Sequence, residues 1–147
     1  MQPEKTVGFE VRSLNNLIKR DVERSEIFNM CRTTGLHGWA IKYFYDNREK
    51  DVFQRDFEER FSIRRSTASK MLGLMEKKGL IERQSVSSDA RLKKIVLTER
   101  AARLHEKITQ DILDREKRLL AGIPPEKLEI FYEVIDTIKA NLEVEND

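Results

Sequence analysis

The change of hydrophobic period at Gly79 constrains this chain more than any other feature. Before it, Ala68, Met71, Leu72 and Met75 recur at steps of three and four, which makes one buried face of a helix over about Arg65 to Lys78. Gly79 stops that helix: a glycine directly after Lys77 and Lys78 suits a left-handed carboxy-terminal cap, with both cations well placed on the helix dipole. Beyond it the period falls to two. Leu80 to Val86 and Leu92 to Thr98 read as strands around the polar tip Ser87-Ser88-Asp89-Ala90-Arg91, so the helix runs directly into a β-hairpin.

Charge is concentrated in the same place. From Ser62 to Lys94 there are nine Lys or Arg against three acids, while the whole chain of 147 residues carries only +2. The rest of the chain is therefore net acidic, and the basic stretch is where a polyanion would sit. The leading half of the helix presents Arg64, Arg65, Ser66, Thr67, Ser69 and Lys70 away from its apolar face. All are side chains that donate hydrogen bonds to base edges or phosphates, as a helix in a major groove must. The hairpin adds Ser87, Ser88, Asp89, Arg91 and Lys93, placed to touch the DNA backbone or the adjacent minor groove.

The run RRSTASKMLGLMEKKGLIERQSVSSDARLKKIVLTE closely resembles the recognition helix and wing of the MarR family of bacterial transcription regulators, and Asp89-Ala90-Arg91 matches that family's Asp-x-Arg wing motif. The match is strong over Gln54 to Glu99 and extends over the full length. It implies a mainly α protomer with a small β-hairpin: a winged helix-turn-helix DNA-binding region over 36–98, between dimerisation helices over 9–28 and 99–143. One position departs from the pattern. The family usually opens its recognition helix with Ser, Thr or Asp, whereas Arg64, a poor N-cap, stands here; Ser62 caps instead if the helix begins a turn earlier.

The flanking segments fit that frame. Phe9, Val11, Leu14, Leu17, Ile18, Val22 and Ile27 space a first helix from Phe9 to about Phe28. A second, from about His37 to Tyr45, has Trp39, Ala40, Tyr43 and Phe44 as its apolar body. Val52-Phe53 is a candidate short strand pairing with the wing, and Gln54 to Phe61 a third helix with Phe57 and Phe61 on its core side. Thr98 caps a long fifth helix carrying Ala101, Leu104, Ile108, Ile112 and Leu119. At about 22 residues it spans about 33 Å, more than a small winged domain covers. Gly122-Ile123-Pro124-Pro125 breaks the chain before a sixth helix with Leu128, Phe131, Val134, Ile135, Ile138 and Leu142. These terminal stripes either pack on helix one within a monomer or interlock with a second copy, as the resemblance implies. A homodimer also has a DNA rationale: two recognition helices about 34 Å apart read the half-sites of a pseudo-palindromic operator.

Other chemistries find little support. His37 and His105 are the only histidines and Cys31 the only cysteine, so no spaced Cys/His cluster exists and no metal or other cofactor is expected. Neither a Gly-rich phosphate loop nor a Ser-His-acid arrangement is present, and no enzymatic activity is expected. No apolar run approaches the roughly 20 residues of a membrane span, the start MQPEKTVGFEV lacks a signal-peptide core, and a lone cysteine fits a reducing compartment; the expectation is a cytoplasmic protein. Cys31 is either an inert thiol or an oxidant sensor of the kind some MarR-like proteins carry. His37, Trp39 and Tyr43 are either core of helix two or the lining of a pocket for an aromatic or phenolic effector, which the resemblance implies.

The expected function is a dimeric, sequence-specific regulator of transcription that binds double-stranded DNA, a repressor released by a small molecule. A winged helix that binds another protein and no DNA is the alternative from a different class. The basic wing argues against it.

Overall fold

The computed structural model describes residues 5–27, 35–86 and 89–144. Two compact units are present, one extending to Leu113 and the other beginning at Asp114.

In the first unit, Thr6 starts helix α1 (Val7–Glu23): its Oγ1 accepts the Phe9 N–H at 3.3 Å, and Glu10 adds a carboxylate in the first turn. The helix stops at Glu23, short of the expected Phe28. The N–H groups of Arg24 and Ser25 bond back three residues, to Asp21 and Val22, and tighten the chain out of α geometry. No residue of α1 is buried, and Val7, Phe9, Val11, Leu14 and Leu17 are exposed.

Helix α2 (Gly35–Asp46) gives Ala40, Ile41 and Phe44 to the core, and Asn47 donates from Nδ2 to the Tyr43 carbonyl at 2.8 Å to close its last turn. Helix α3 (Gln54–Phe61) opens where Asp56 Oδ2 accepts the Phe53 N–H at 2.9 Å, and it buries Phe57 completely. Ser62 then takes a left-handed conformation, φ +51°, and the Ile63 N–H reaches back to the Glu58 carbonyl at 3.1 Å. Ser62 thus closes α3 and is not the cap of the next helix. Helix α4 (Arg65–Lys77) starts after Arg64 with no side-chain cap.

Ala68, Leu72 and Met75 form the buried face of α4, as their spacing requires. Its end is locked twice. The Leu80 N–H bonds the Met75 carbonyl at 2.9 Å and the Gly79 N–H bonds the Glu76 carbonyl at 3.0 Å, with Gly79 at φ +73°. This is the paired hydrogen-bond pattern of a glycine-terminated helix, and Leu80 packs beside Met75 in the core.

Strands β1 (Ile81–Val86) and β2 (Asp89–Leu97) pair antiparallel, with Ile81 opposite Leu97, Arg83 opposite Ile95 and Val86 opposite Asp89. The register shifts between Ser85 and Val86. Asp89, Ala90 and Arg91 therefore belong to β2 and not to the tip, because the register shift brings Val86 and Asp89 into pairing. Val52-Phe53 does not form a strand of this sheet. Val52 instead accepts one backbone hydrogen bond, from the Ile95 N–H at 2.7 Å, and buries its side chain.

Helix α5 (Glu99–Leu119) begins at a joint built by Thr98. Its Oγ1 accepts the Ala101 N–H at 3.2 Å and donates to the Gly79 carbonyl at 2.7 Å, while Arg100 Nη1 donates to the Lys78 carbonyl at 2.8 Å. Ala101, Ile108 and Ile112 complete the core with residues of α2, α3, α4 and the hairpin. Burying each isoleucine side chain contributes about 1.5–3 kcal/mol.

In the second unit, Gly122 turns the chain at φ +80°, and Pro125 occupies the first position of helix α6 (Pro125–Val144), where its missing N–H leaves nothing unsatisfied. No residue of α6 is buried, and Ile130, Phe131, Tyr132, Val134 and Leu142 are exposed.

Candidate nucleic-acid interface

The burial of Ala68, Leu72 and Met75 fixes which side of α4 faces outward. Arg64, Arg65, Ser66, Thr67, Ser69 and Lys70 are all exposed, so the structure brings the six expected contact residues onto the open side of one helix end. The missing cap has a consequence here. With no cap from the Arg64 side chain, the first-turn N–H groups are available to a phosphate, and the positive end of the helix dipole favours one.

Ser69 is not free of the fold. Its Oγ accepts a hydrogen bond from Gln54 Nε2 at 2.9 Å, which ties the outward face of α4 to the first residue of α3. The hydroxyl keeps its own proton to donate.

On the hairpin, Arg91 and Lys93 are exposed on β2. Asp89 holds the strand beside them, its Oδ1 accepting the Arg91 backbone N–H at 2.9 Å. Ser87 and Ser88 lie outside the described residues. Lower on β2, Lys94 Nζ meets Asp51 Oδ1 at 3.3 Å and joins the hairpin base to the connector before α3.

Two residues absent from the sequence expectations complete this region. Gln54 Oε1 lies 3.5 Å from Arg83 Nη1, and Arg83 Nε lies 3.9 Å from Glu76 Oε2. A signal for Arg83 exists in the pleat: residues two apart share a face, so Arg83 follows buried Ile81 inward, and an inward arginine needs partners. Gln54 leaves no comparable trace.

The three residues considered for an effector are placed differently from one another. His37 is buried at 2% exposure, and its Nδ1 has no hydrogen-bond partner among the described residues. Burial, with the nearby positive charge of Lys78 second, lowers its pKa to about 4 and keeps the imidazole neutral. Trp39 is 45% exposed. Tyr43 packs its ring 5.5 Å from Phe44, 6.5 Å from Phe57 and 5.7 Å from Phe61; burial, then the Asp56 charge, raises its phenol pKa. None of the three lines the open cleft of about 300 Å³ between the α2–α3 connector and the hairpin base, whose walls include Phe44, Asp51, Val52 and Lys94. His105 stacks on Tyr45 at 3.5 Å and shares a hydrogen bond with Thr109 at 3.1 Å. Cys31 lies outside the described residues. Among those described, no three His, Cys, Asp or Glu side chains are grouped to hold a metal ion, and no helix is long and apolar enough to cross a membrane.

Residues 34–92, from before α2 into the hairpin, match a family model described as MarR family. Among solved structures, the transcription regulator MarR from Oenococcus oeni PSU-1 is 26% identical, with 92% of this chain and 99% of that one covered and a TM-score of 0.78. MepR of S. aureus, solved as a DNA complex, shares the fold at a TM-score of 0.83 and 22% identity, covering 96% of this chain and 99% of its own. The heme sensor protein PefR from Streptococcus agalactiae, solved with heme, is 25% identical, with 95% and 93% covered and a TM-score of 0.65.

Proposed function

The chain is a member of the MarR family of winged helix-turn-helix transcription regulators through residues 34–92, and from that premise we propose that it is a dimeric repressor that binds a pseudo-palindromic operator. The observation that carries this reading is the amino-terminal half of α4, which has no side-chain cap at Arg64, exposes Arg65, Ser66, Thr67, Ser69 and Lys70, is backed by a buried face and lies in the most basic stretch of the chain. Arg65, Ser66, Thr67, Ser69 and Lys70 enter the major groove, while Arg91 and Lys93 of the wing meet the backbone or minor groove. Arg64 contributes from the N-cap position.

Dimerisation supplies the second half-site. The exposed apolar residues of α1 and of α6 support it, because apolar stripes of this extent on two helices are interface material in most soluble proteins. The helices over 9–28 and 99–143 are assigned to that interface, and 36–98 to DNA.

Release from DNA is assigned to an aromatic or phenolic molecule bound beside His37, Trp39 and Tyr43. The His37 Nδ1, unpartnered among the described residues, and the accessible Trp39 support that placement. Such a molecule acts only if it binds the DNA-incompetent dimer more tightly than the competent one.

A salt titration of binding to random duplex tests the central claim. Counterion release makes the affinity fall steeply as salt rises, with about 0.9 unit of log-log slope per neutralised phosphate. A chain that binds duplex weakly and without salt dependence is a protein-binding winged helix instead.

A further inference from the structure

Arg83 lies on β1 with its Nε buried and, among the described residues, without a hydrogen-bond partner. Its guanidinium stands between two other elements: Gln54 Oε1 of α3 at 3.5 Å from Nη1, and Glu76 Oε2 of α4 at 3.9 Å from Nε. The amide of Gln54 is oriented by what surrounds it, the carbonyl toward the cation and the amino group toward the Ser69 hydroxyl at 2.9 Å and the Arg65 carbonyl at 3.5 Å. One connected set of polar groups thus joins the wing strand to both helices of the helix-turn-helix, and it ends on two residues of the DNA-facing end of α4.

The bonds within this set are unequal. Gln54 to Ser69 has ordinary length, whereas both contacts of Arg83 are long: its Nε stands roughly 1 Å beyond a proper hydrogen bond with Glu76, a gap that an approach of β1 and α4 would close. A buried donor left without an acceptor is unfavourable, so any state that brings the two elements together gains a charge-assisted bond.

We propose that Arg83, with Gln54, is a positioning residue for sequence discrimination: when α4 and the wing are both seated on a matching site, the Arg83 contacts shorten, and the gain accrues only to the specific complex. This rests on the DNA-binding reading above. On a mismatched duplex the helix is not held at full depth and the bonds stay long, so Arg83 separates right sites from wrong ones without touching a base.

The test uses duplexes selected from a randomised library on the wild-type protein, compared with the unselected pool. Arg83→Met should keep the thermal midpoint and the salt slope, weaken binding to the selected duplex about tenfold, and leave affinity for the pool within about twofold. In nitrogen-15 spectra of the wild type, the Arg83 Nε–H resonance should move downfield and exchange more slowly with the selected duplex but not with the pool. Gln54→Met, changed at the more accessible end of the same set, gives the same selective loss if Arg83→Met fails to fold. Combined with Arg83→Met, it should add little. Equal losses on both DNAs, or none, overturn the proposal while leaving DNA binding intact. A wild-type chain without salt-dependent duplex binding overturns the function itself, and this inference with it.

Discussion

The Asp89 carboxylate accepts the backbone N–H of Arg91 at 2.9 Å, and the two side chains form no ion pair. An Asp-x-Arg sequence invites the other arrangement, in which the carboxylate aims the guanidinium. Here it fixes the main chain on which the arginine is mounted and does not hold the guanidinium.

This distinction gives the first prediction. Asp89→Asn should retain nearly full DNA affinity, since an amide oxygen accepts the same backbone bond, while Asp89→Ala should weaken binding several-fold. Arg91→Ala should lower affinity for most duplexes and reduce the salt slope by about one unit per lost phosphate contact, with the fold intact. Fluorescence anisotropy across a salt series measures both. Unchanged affinity and slope in Arg91→Ala would remove the wing from the interface.

Phe131 and Ile135 lie one turn apart on α6, Phe131 exposed and Ile135 half-buried. If that face seats on a second copy, Phe131→Glu or Ile135→Glu buries a carboxylate and should cost about 3 kcal/mol or more of dimer stability. Sedimentation velocity should show monomer or unfolded protein. A fully folded dimer would place the interface elsewhere.

His37 predicts a pH dependence of stability. Its folded pKa, about 4, lies below the ordinary 6.5 of an unfolded chain, so the folded state prefers the neutral ring. Its contribution is fully present above about pH 6.5 and is lost as the pH falls toward 4, up to about 3 kcal/mol. Denaturant midpoints at intervals between these values should fall more steeply for the wild type than for His37→Gln. Parallel curves would mean that the imidazole titrates normally.

Trp39 gives the effector test. A phenolic acid that binds beside the accessible indole should change its fluorescence and weaken operator binding about 5- to 150-fold, the usual range of coupling between two sites. Trp39→Phe would remove the signal while leaving the DNA response. If fluorescence and affinity are both indifferent across a set of such acids, Trp39, Tyr43 and His37 are structural.

What could be read from the sequence follows the reach of each interaction. Ala68, Leu72 and Met75 announce α4 because burial repeats with the helical turn, and Gly79 announces its end because a positive φ excludes most other residues. Thr98 was legible for the same local reason, a side-chain oxygen three residues before an N–H. The bond from Gln54 to Ser69 was not, since a contact between residues 15 apart on different elements follows no period. Ser62 misled for a related reason: a serine ahead of a helix is as well suited to a cap as to a turn, and only the left-handed φ decides. The charge pattern located the basic surface, but the register shift that puts Arg91 within β2 depends on the pairing of Val86 with Asp89.

The joint at Thr98 also makes α4 a mechanical arm. The carbonyls just past its carboxy-terminal end, from Lys78 and Gly79, are held by Arg100 and Thr98 at the start of α5, so the helix is anchored there by two short bonds, while its other end is tied to α3 through the single Gln54–Ser69 bond of ordinary length. Thirteen residues make an arm of about 20 Å, and tilting it by about 10° about that pivot sweeps the tip through about 3 Å. That displacement is close to the rise of one base pair. On a duplex bound as proposed, a small rotation where α5 begins would therefore be enough to take Ser66 and Thr67 from one base step toward the next.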